Sequence, residues 1–180
     1  MSDAIHDAMA SEPDIRPIRF AALRSDRVMR RVLDWHLLTD GVFGNDDAEL
    51  GALSPYFQIH EVGDGVYRYL HCGAATPPAA LYGRAFARSA SGRAGVPDSA
   101  YDERLREDYF RVLETGLPLA QTVRTSLDVW GAPFFVEYCR YIFPVTIAGA
   151  VAVNICSRFI EPPKRLAGPA PRASYRPGTR

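Results

Sequence analysis

The segment Phe134–Phe143, FFVEYCRYIF, constrains the fold more than any other stretch of the chain. As a strand, it alternates Phe134, Val136, Tyr138, Arg140 and Ile142 on one face with Phe135, Glu137, Cys139, Tyr141 and Phe143 on the other. Both sets are bulky and mostly apolar. Such a strand needs cover on both sides, which predicts a sheet with packed layers above and below it.

The flanks agree. LAQTVRTSLDV precedes this strand and GAVAVNICSRFI follows it, joined by Trp130–Pro133 and Thr146–Gly149, connections short enough for hairpins. The three segments read as an antiparallel meander. Upstream, Tyr101, Leu105, Tyr109 and Val112 recur at helical spacing, broadened by Phe110 and Leu113. Asp98 or Ser99 would cap that helix, and Gly116 and Pro118 would stop it.

Earlier still, YFQIHEV and VYRYLHC flank Gly63-Asp64-Gly65, and Asp-Gly between β-prone runs is a strong hairpin signal. A two-residue turn at Asp64-Gly65 sets Val62 opposite Tyr67, Glu61 opposite Arg68, His60 opposite Tyr69, Ile59 opposite Leu70 and Gln58 opposite His71. One face would then carry Phe57, Ile59, Leu70 and Cys72. The other would carry Gln58, His60, Tyr67, Tyr69 and His71. Between hairpin and long helix, an Ala-, Gly-, Ser- and Pro-rich stretch is expected to hold short helical turns, one of them at Pro78–Tyr82.

A leading helix is expected from Ser25, a candidate N-cap, to Asp40-Gly41. Val28, Val32, Trp35 and Leu38 form its stripe, widened by Met29, Leu33 and Leu37. Residues 1–16, acidic and aperiodic, and 161–180, rich in Pro and Arg, are expected to lack structure, leaving 17–160 as one domain.

Composition narrows the class. Lys plus Arg equals Asp plus Glu, 21 each, so no global field draws the chain to nucleic acid or an anionic membrane. Cys72, Cys139 and Cys156 sit in apolar segments without CxxC pairing, which points to a reducing, cytoplasmic setting. The start, MSDAIHDAM, does not read as a signal peptide. The most apolar run, Ile142–Cys156, is interrupted by Pro144, Thr146 and Asn154 and falls short of the roughly 20 residues of a membrane span.

The element order (helix, hairpin, short helices, long helix, meander) resembles the PAS domain, and most specifically the compact bacterial PAS-like proteins. The residues that carry the resemblance are Trp35, Leu53-Ser54-Pro55-Tyr56-Phe57, Tyr67-Arg68-Tyr69 with Gly73, and Tyr82-Gly83-Arg84. In the later half they are Val112–Pro118, Tyr138-x-Arg140 and Phe143-Pro144. The match spans residues 28–160. It departs at Arg88, where the family pattern has glycine, and at Asn45-Asp46-Asp47, which replaces a proline-bearing stretch. The resemblance implies an α+β fold: a five-stranded antiparallel sheet with the helical crossover on one face and the N-terminal helix on the other. It also implies a sensory or regulatory role, with a small molecule bound in a cavity or a partner protein engaged. The flavin-type Asn-Cys-Arg-Phe motif is missing from Leu81–Ser91, and the Asp98–Thr115 helix has no histidine for haem, so neither cofactor is expected.

Candidate site residues follow. His60, Tyr67, Tyr69 and His71 share a face of the proposed hairpin and would either line a cavity or pack beneath helices. A zinc site lacks third and fourth ligands at suitable spacing. Arg140, with Tyr138 beside it, would suit an anionic ligand if it faced a cavity. The competing expectation for Arg140, Glu137 and Arg124 is cross-strand ion pairing. Cys139 is either a redox-sensitive thiol or a buried small hydrophobe, the latter favoured. No nucleophile elbow, P-loop, HExxH or dinucleotide loop occurs, so catalysis is not expected.

The sequence therefore points to a stand-alone sensory domain that signals by association, as a homodimer or with another signalling protein, through Val28, Val32, Trp35 and Leu38. The alternative is an enzyme or small-ligand carrier of the cone-like α+β class (NTF2-like), which a polar dyad deep in the pocket would favour.

Overall fold

A computed structural model describes residues 12–44, 48–96 and 98–167. It is an α+β fold built on one antiparallel sheet of six strands. In chain order come β1 (Asp14–Pro17), α1 (Phe20–Leu23), α2 (Arg27–Thr39) and α3 (Ala48–Leu53). Next are β2 (Phe57–Gly63), β3 (Val66–Cys72), α4 (Pro77–Tyr82), α5 (Arg84–Arg88) and α6 (Ser99–Thr115). The meander β4 (Leu119–Val129), β5 (Ala132–Ile147) and β6 (Ala150–Arg165) completes the chain. Across the sheet the order is β1-β4-β5-β6-β2-β3, so the first hairpin joins the meander through β2 and β6.

The sheet reaches further at both ends than expected. Asp14–Pro17 pairs with Arg124–Gln121, and β6 continues to Arg165 opposite Phe134. Residues 14–16 and 161–165, assigned by sequence to unstructured ends, are thus strand; their polar sequences suit an edge and an exposed strand end, which need no alternation of buried side chains. Residues 1–11 and 168–180, including the basic Arg172, Arg176 and Arg180, lie outside the described residues, as do Asn45-Asp46-Asp47.

All three hairpins close on two residues with positive φ: Asp64 (52°) and Gly65 (74°), Trp130 (55°) and Gly131 (81°), Ala148 (49°) and Gly149 (83°). That backbone matches the right-handed twist of the flanking strands. Trp130 tolerates the strained conformation because the Gly131 amide donates to Asp128 Oδ1 at 2.7 Å. Pro144 falls within β5 without breaking the ladder because β4 ends at Leu119, opposite Ile142.

The first hairpin keeps the expected register from the turn to His60–Tyr69 and then slips. A bulge beyond His60 leaves Leu70 unpaired, so Ile59 meets His71 and Gln58 meets Cys72. One extra residue moves every later side chain to the other face. Leu70 is left 46% exposed, Cys72 joins the Tyr67 and Tyr69 face, and His71 leaves it.

The two faces carry separate cores. On one, α4, α5 and α6 cover Tyr67, Tyr69, Val136, Tyr138 and Ile142. On the other, α2 and α3 cover Phe57, Tyr141, Phe143 and Val145. The doubly apolar β5 is the wall between them. The cap of α2 lies one residue after the expected one: Asp26, rather than Ser25, accepts from Val28 and Met29 amides at 2.8 and 2.9 Å. Thr76 caps α4 in the same manner, with Pro77 and Pro78 in its first turn, where their missing N–H costs nothing. Among the described residues no helix is long and apolar enough to cross a membrane.

Candidate functional site

The site lies where the crossover helices meet the sheet. Tyr82 of α4, Val96 of the loop before α6 and Leu105 of α6 form its roof, and Tyr138, Arg140 and Ile155 its floor. Between them is a cavity of about 40 Å³. That is room for roughly three waters or a ligand of a few heavy atoms.

Arg140 gives the cavity its chemistry. Its place in β5 puts it on the face that α6 covers, and it is only 1% exposed. Its Nη2 donates to the Asp108 carboxylate on α6, and its Nε donates to Gln121 Oε1 on β4 at 2.8 Å. Gln121 Nε2 reaches Asp108 Oδ1 at 3.4 Å, closing a buried triangle. A guanidinium out of water is tolerable only with such pairing. The third nitrogen, Nη1, has no partner among the described residues. Arg111, at the surface end of the cluster, lies 3.9 Å from Asp108 Oδ1.

Two phenols share the cavity lining with Arg140. Burial pushes the Tyr138 hydroxyl up to about 12, with the Arg140 guanidinium pulling against it by its charge and by side-chain hydrogen bonding. Burial likewise raises the Tyr82 hydroxyl, helped by the negative charges of Asp98 and Asp128. Tyr82 Oη is a second buried polar atom with no partner among the described residues. Both tyrosines are neutral donors at physiological pH, and Ser157 adds a hydroxyl at the sheet end.

The structure divides the residues singled out by sequence. Tyr138 and Arg140 line the cavity. His60, Tyr67 and Tyr69 do not; they form a solid aromatic cluster beneath α6. The His60 ring centroid lies 4.9 Å from Tyr67, 4.2 Å from Tyr69 and 5.1 Å from Tyr109. Neither His60 nitrogen has a partner among the described residues, and burial drives its pKa down to about 3. Tyr67 donates to Asp102, which also accepts from the Val96 amide at 2.8 Å. His71 is not the diagonal neighbour of His60. The bulge turns it to the opposite face, where Nε2 meets the Ser54 carbonyl at 2.9 Å.

Arg124 and Glu137 form the cross-strand pair, 2.8 Å apart, at the surface. Cys139 is half-buried, with its thiol pKa raised by burial, which fits a small hydrophobe better than a reactive thiolate. The proposed interface residues also part company. Val32 (0% exposed) and Trp35 (4%) pack inside the chain, Trp35 against Phe43, Phe57 and Phe143. They are core and give no surface to a partner. Val28 is half-buried, whereas Leu38 stands 86% exposed.

Sequence reasoning missed Asp108, Tyr82 and Gln121. Asp108 carried a signal: it falls seven residues after Tyr101 and three after Leu105, a carboxylate on the apolar stripe of α6. Such a residue needs a buried cation, and Arg140 is that cation. Among the described residues no cluster of His, Cys, Asp and Glu side chains is arranged to hold a metal ion. Comparison with family models, curated proteins and solved structures finds no match. Function must be argued from the cavity itself.

Proposed function

We propose that this chain is a PAS-like sensory or regulatory domain that takes a small molecule into the cavity at Arg140 and passes its occupancy on through protein association. The observation that carries the reading is the cavity between the crossover helices and the sheet, with a buried guanidinium nitrogen and a buried phenol that have no hydrogen-bond partner among the described residues. Unsatisfied buried donors cost stability in the empty protein, and a ligand that accepts from them recovers it.

The topology supports the PAS-like assignment. A hairpin, a helical crossover and a three-stranded meander share one sheet, β2 lies beside β6, and β1 is an added edge strand. A route outward also exists. Arg140 and Tyr141 are consecutive on β5 and face opposite layers; Tyr141 Oη lies 2.6 Å from His36 Nδ1 on α2. A shift of β5 on ligand binding is therefore felt directly by α2, whose end exposes Leu37 (66%) and Leu38 (86%). We assign the chain no catalytic role and no flavin or haem.

One observation favours the cone-like enzyme or carrier as a second reading, namely the buried Asp108–Arg140 pair, whose Arg140 lines the cavity. The small size of the space and the engagement of Asp108 by both Arg140 and Gln121 favour the sensor. Native mass spectrometry of the full chain tests the proposal. A bound small molecule, with a change in oligomeric state when it is removed, is the expected result. A ligand-free chain whose assembly ignores every metabolite in a cell extract would contradict it.

A further inference from the structure

We propose that the ligand is a short-chain monocarboxylate, held by Arg140 Nη1 and the Tyr82 hydroxyl. The inference rests on the cavity being a ligand site, as argued above, and names the chemistry that the site selects.

Four observations converge on it. The unsatisfied groups are donors: a guanidinium N–H on a side chain 1% exposed and a phenol on a residue 7% exposed. Charge is the second. Arg140 and Asp108 form a neutral buried pair, whereas Arg111, 3.9 Å from Asp108, is half exposed and screened by solvent. The Arg140 charge spreads over Nη1, so a carboxylate there gains a charge-assisted hydrogen bond, while a dianion would bring a second negative charge that no buried cation meets. Third, no Asp or Glu is among the described residues that line the cavity, which disfavours amines and zwitterions. Fourth, the remaining wall is apolar, with Leu105, Leu127 and Ile155 opposite the polar corner. A short aliphatic tail fits there better than the second polar end of an inorganic anion. The small size of the space suits a short chain such as that of acetate or propionate.

Isothermal titration of the full chain at pH 7 with sodium propionate, and with propionamide as the neutral isostere, tests the assignment. Propionate is expected to saturate one site per chain and propionamide to bind at least about tenfold more weakly, because a charge-assisted hydrogen bond is replaced by a neutral one. Tyr82→Phe is expected to weaken propionate by about fivefold, the worth of one hydrogen bond, with no loss in urea midpoint. Because Arg140→Met strands Asp108 and risks unfolding, the double variant Arg140→Met/Asp108→Leu keeps the test sound; propionate binding should vanish in it. Equal affinity for acid and amide, or propionate binding untouched by both variants, would overturn the proposal. If propionamide titrates and propionate does not, the carboxylate assignment fails while the ligand cavity stands. If neither titrates and nothing co-purifies, the cavity reading fails as well.

Discussion

Replacing His60 by leucine should change how the protein responds to acid far more than how stable it is at neutral pH. His60 is wholly buried, its two ring nitrogens have no partner among the described residues, and its pKa falls from 6.5 to about 3. Between those values the unfolded chain binds a proton that the folded chain refuses, so stability declines as pH drops below about 6.5 and the loss is complete near pH 3. Each unit corresponds to about 1.4 kcal/mol, which makes the deficit roughly 2 kcal/mol at pH 5. The rings around it, Tyr67, Tyr69 and Tyr109, remain neutral phenols over this range, since burial raises all three. His36, also lowered by burial, adds a loss of the same sign in both proteins, so the difference between them isolates His60. At pH 8 the variant should lie within about 1 kcal/mol of the parent, because an imidazole with unmet hydrogen bonds is exchanged for an apolar group of similar bulk. Urea unfolding at pH 8, 7, 6 and 5 measures it. The parent should lose about 2 kcal/mol more than the variant between pH 7 and pH 5. Parallel curves would refute the buried neutral imidazole.

Other perturbations follow from the same geometry. Arg140→Met should cost about 3–5 kcal/mol by stranding Asp108, and adding Asp108→Leu should restore most of it; equal urea midpoints for the single and double variants would deny the pair its buried character. Gly73→Ala should destabilise by about 1–3 kcal/mol, because a Cβ there would run into the Ser54 and Pro55 carbonyl groups, which the chain cannot move cheaply; an unchanged melting temperature would show that the contact relaxes. Val32→Asp should unfold the chain, whereas Leu38→Asp should alter stability by less than about 0.5 kcal/mol and dissociate any dimer built on the end of α2. Circular dichroism and light scattering on the two variants separate these outcomes, and a folded Val32→Asp protein would contradict its place in the core.

Much of the fold was legible because periodicity reports burial. The alternating bulk of Phe134–Phe143 called for cover on both faces, and the structure provides it with Tyr138 and Ile142 in one core and Tyr141 and Phe143 in the other. The Tyr101, Leu105, Tyr109 and Val112 stripe is buried as its spacing required. The bulge at Leu70 was not legible, since a one-residue insertion leaves no mark in a run of β-prone residues, and it alone misplaced His71. The end strand Asp14–Pro17 was hidden because an edge strand with polar residues has no apolar alternation to display. For the α2 stripe the sequence showed an apolar face without saying what it packs on. The exposed residues of that stripe are its last, Leu37 and Leu38, while Val32 and Trp35 went to the sheet. At the site, Arg140 and Tyr138 stood out as polar groups in a buried strand. Asp108 and Gln121, which hold the guanidinium in place, become visible only when α6, β4 and β5 are brought together.

Nuclear Overhauser contacts from ¹³C-labelled propionate to assigned methyl groups of the full chain would show most directly whether the space at Arg140 is a binding site. Contacts to Leu105, Leu127 and Ile155, lost in Arg140→Met/Asp108→Leu, are expected from a ligand lying between α6 and the sheet. Contacts confined to surface methyls such as Leu37 and Leu38, or contacts at the cavity that persist without Arg140, would contradict the site described here.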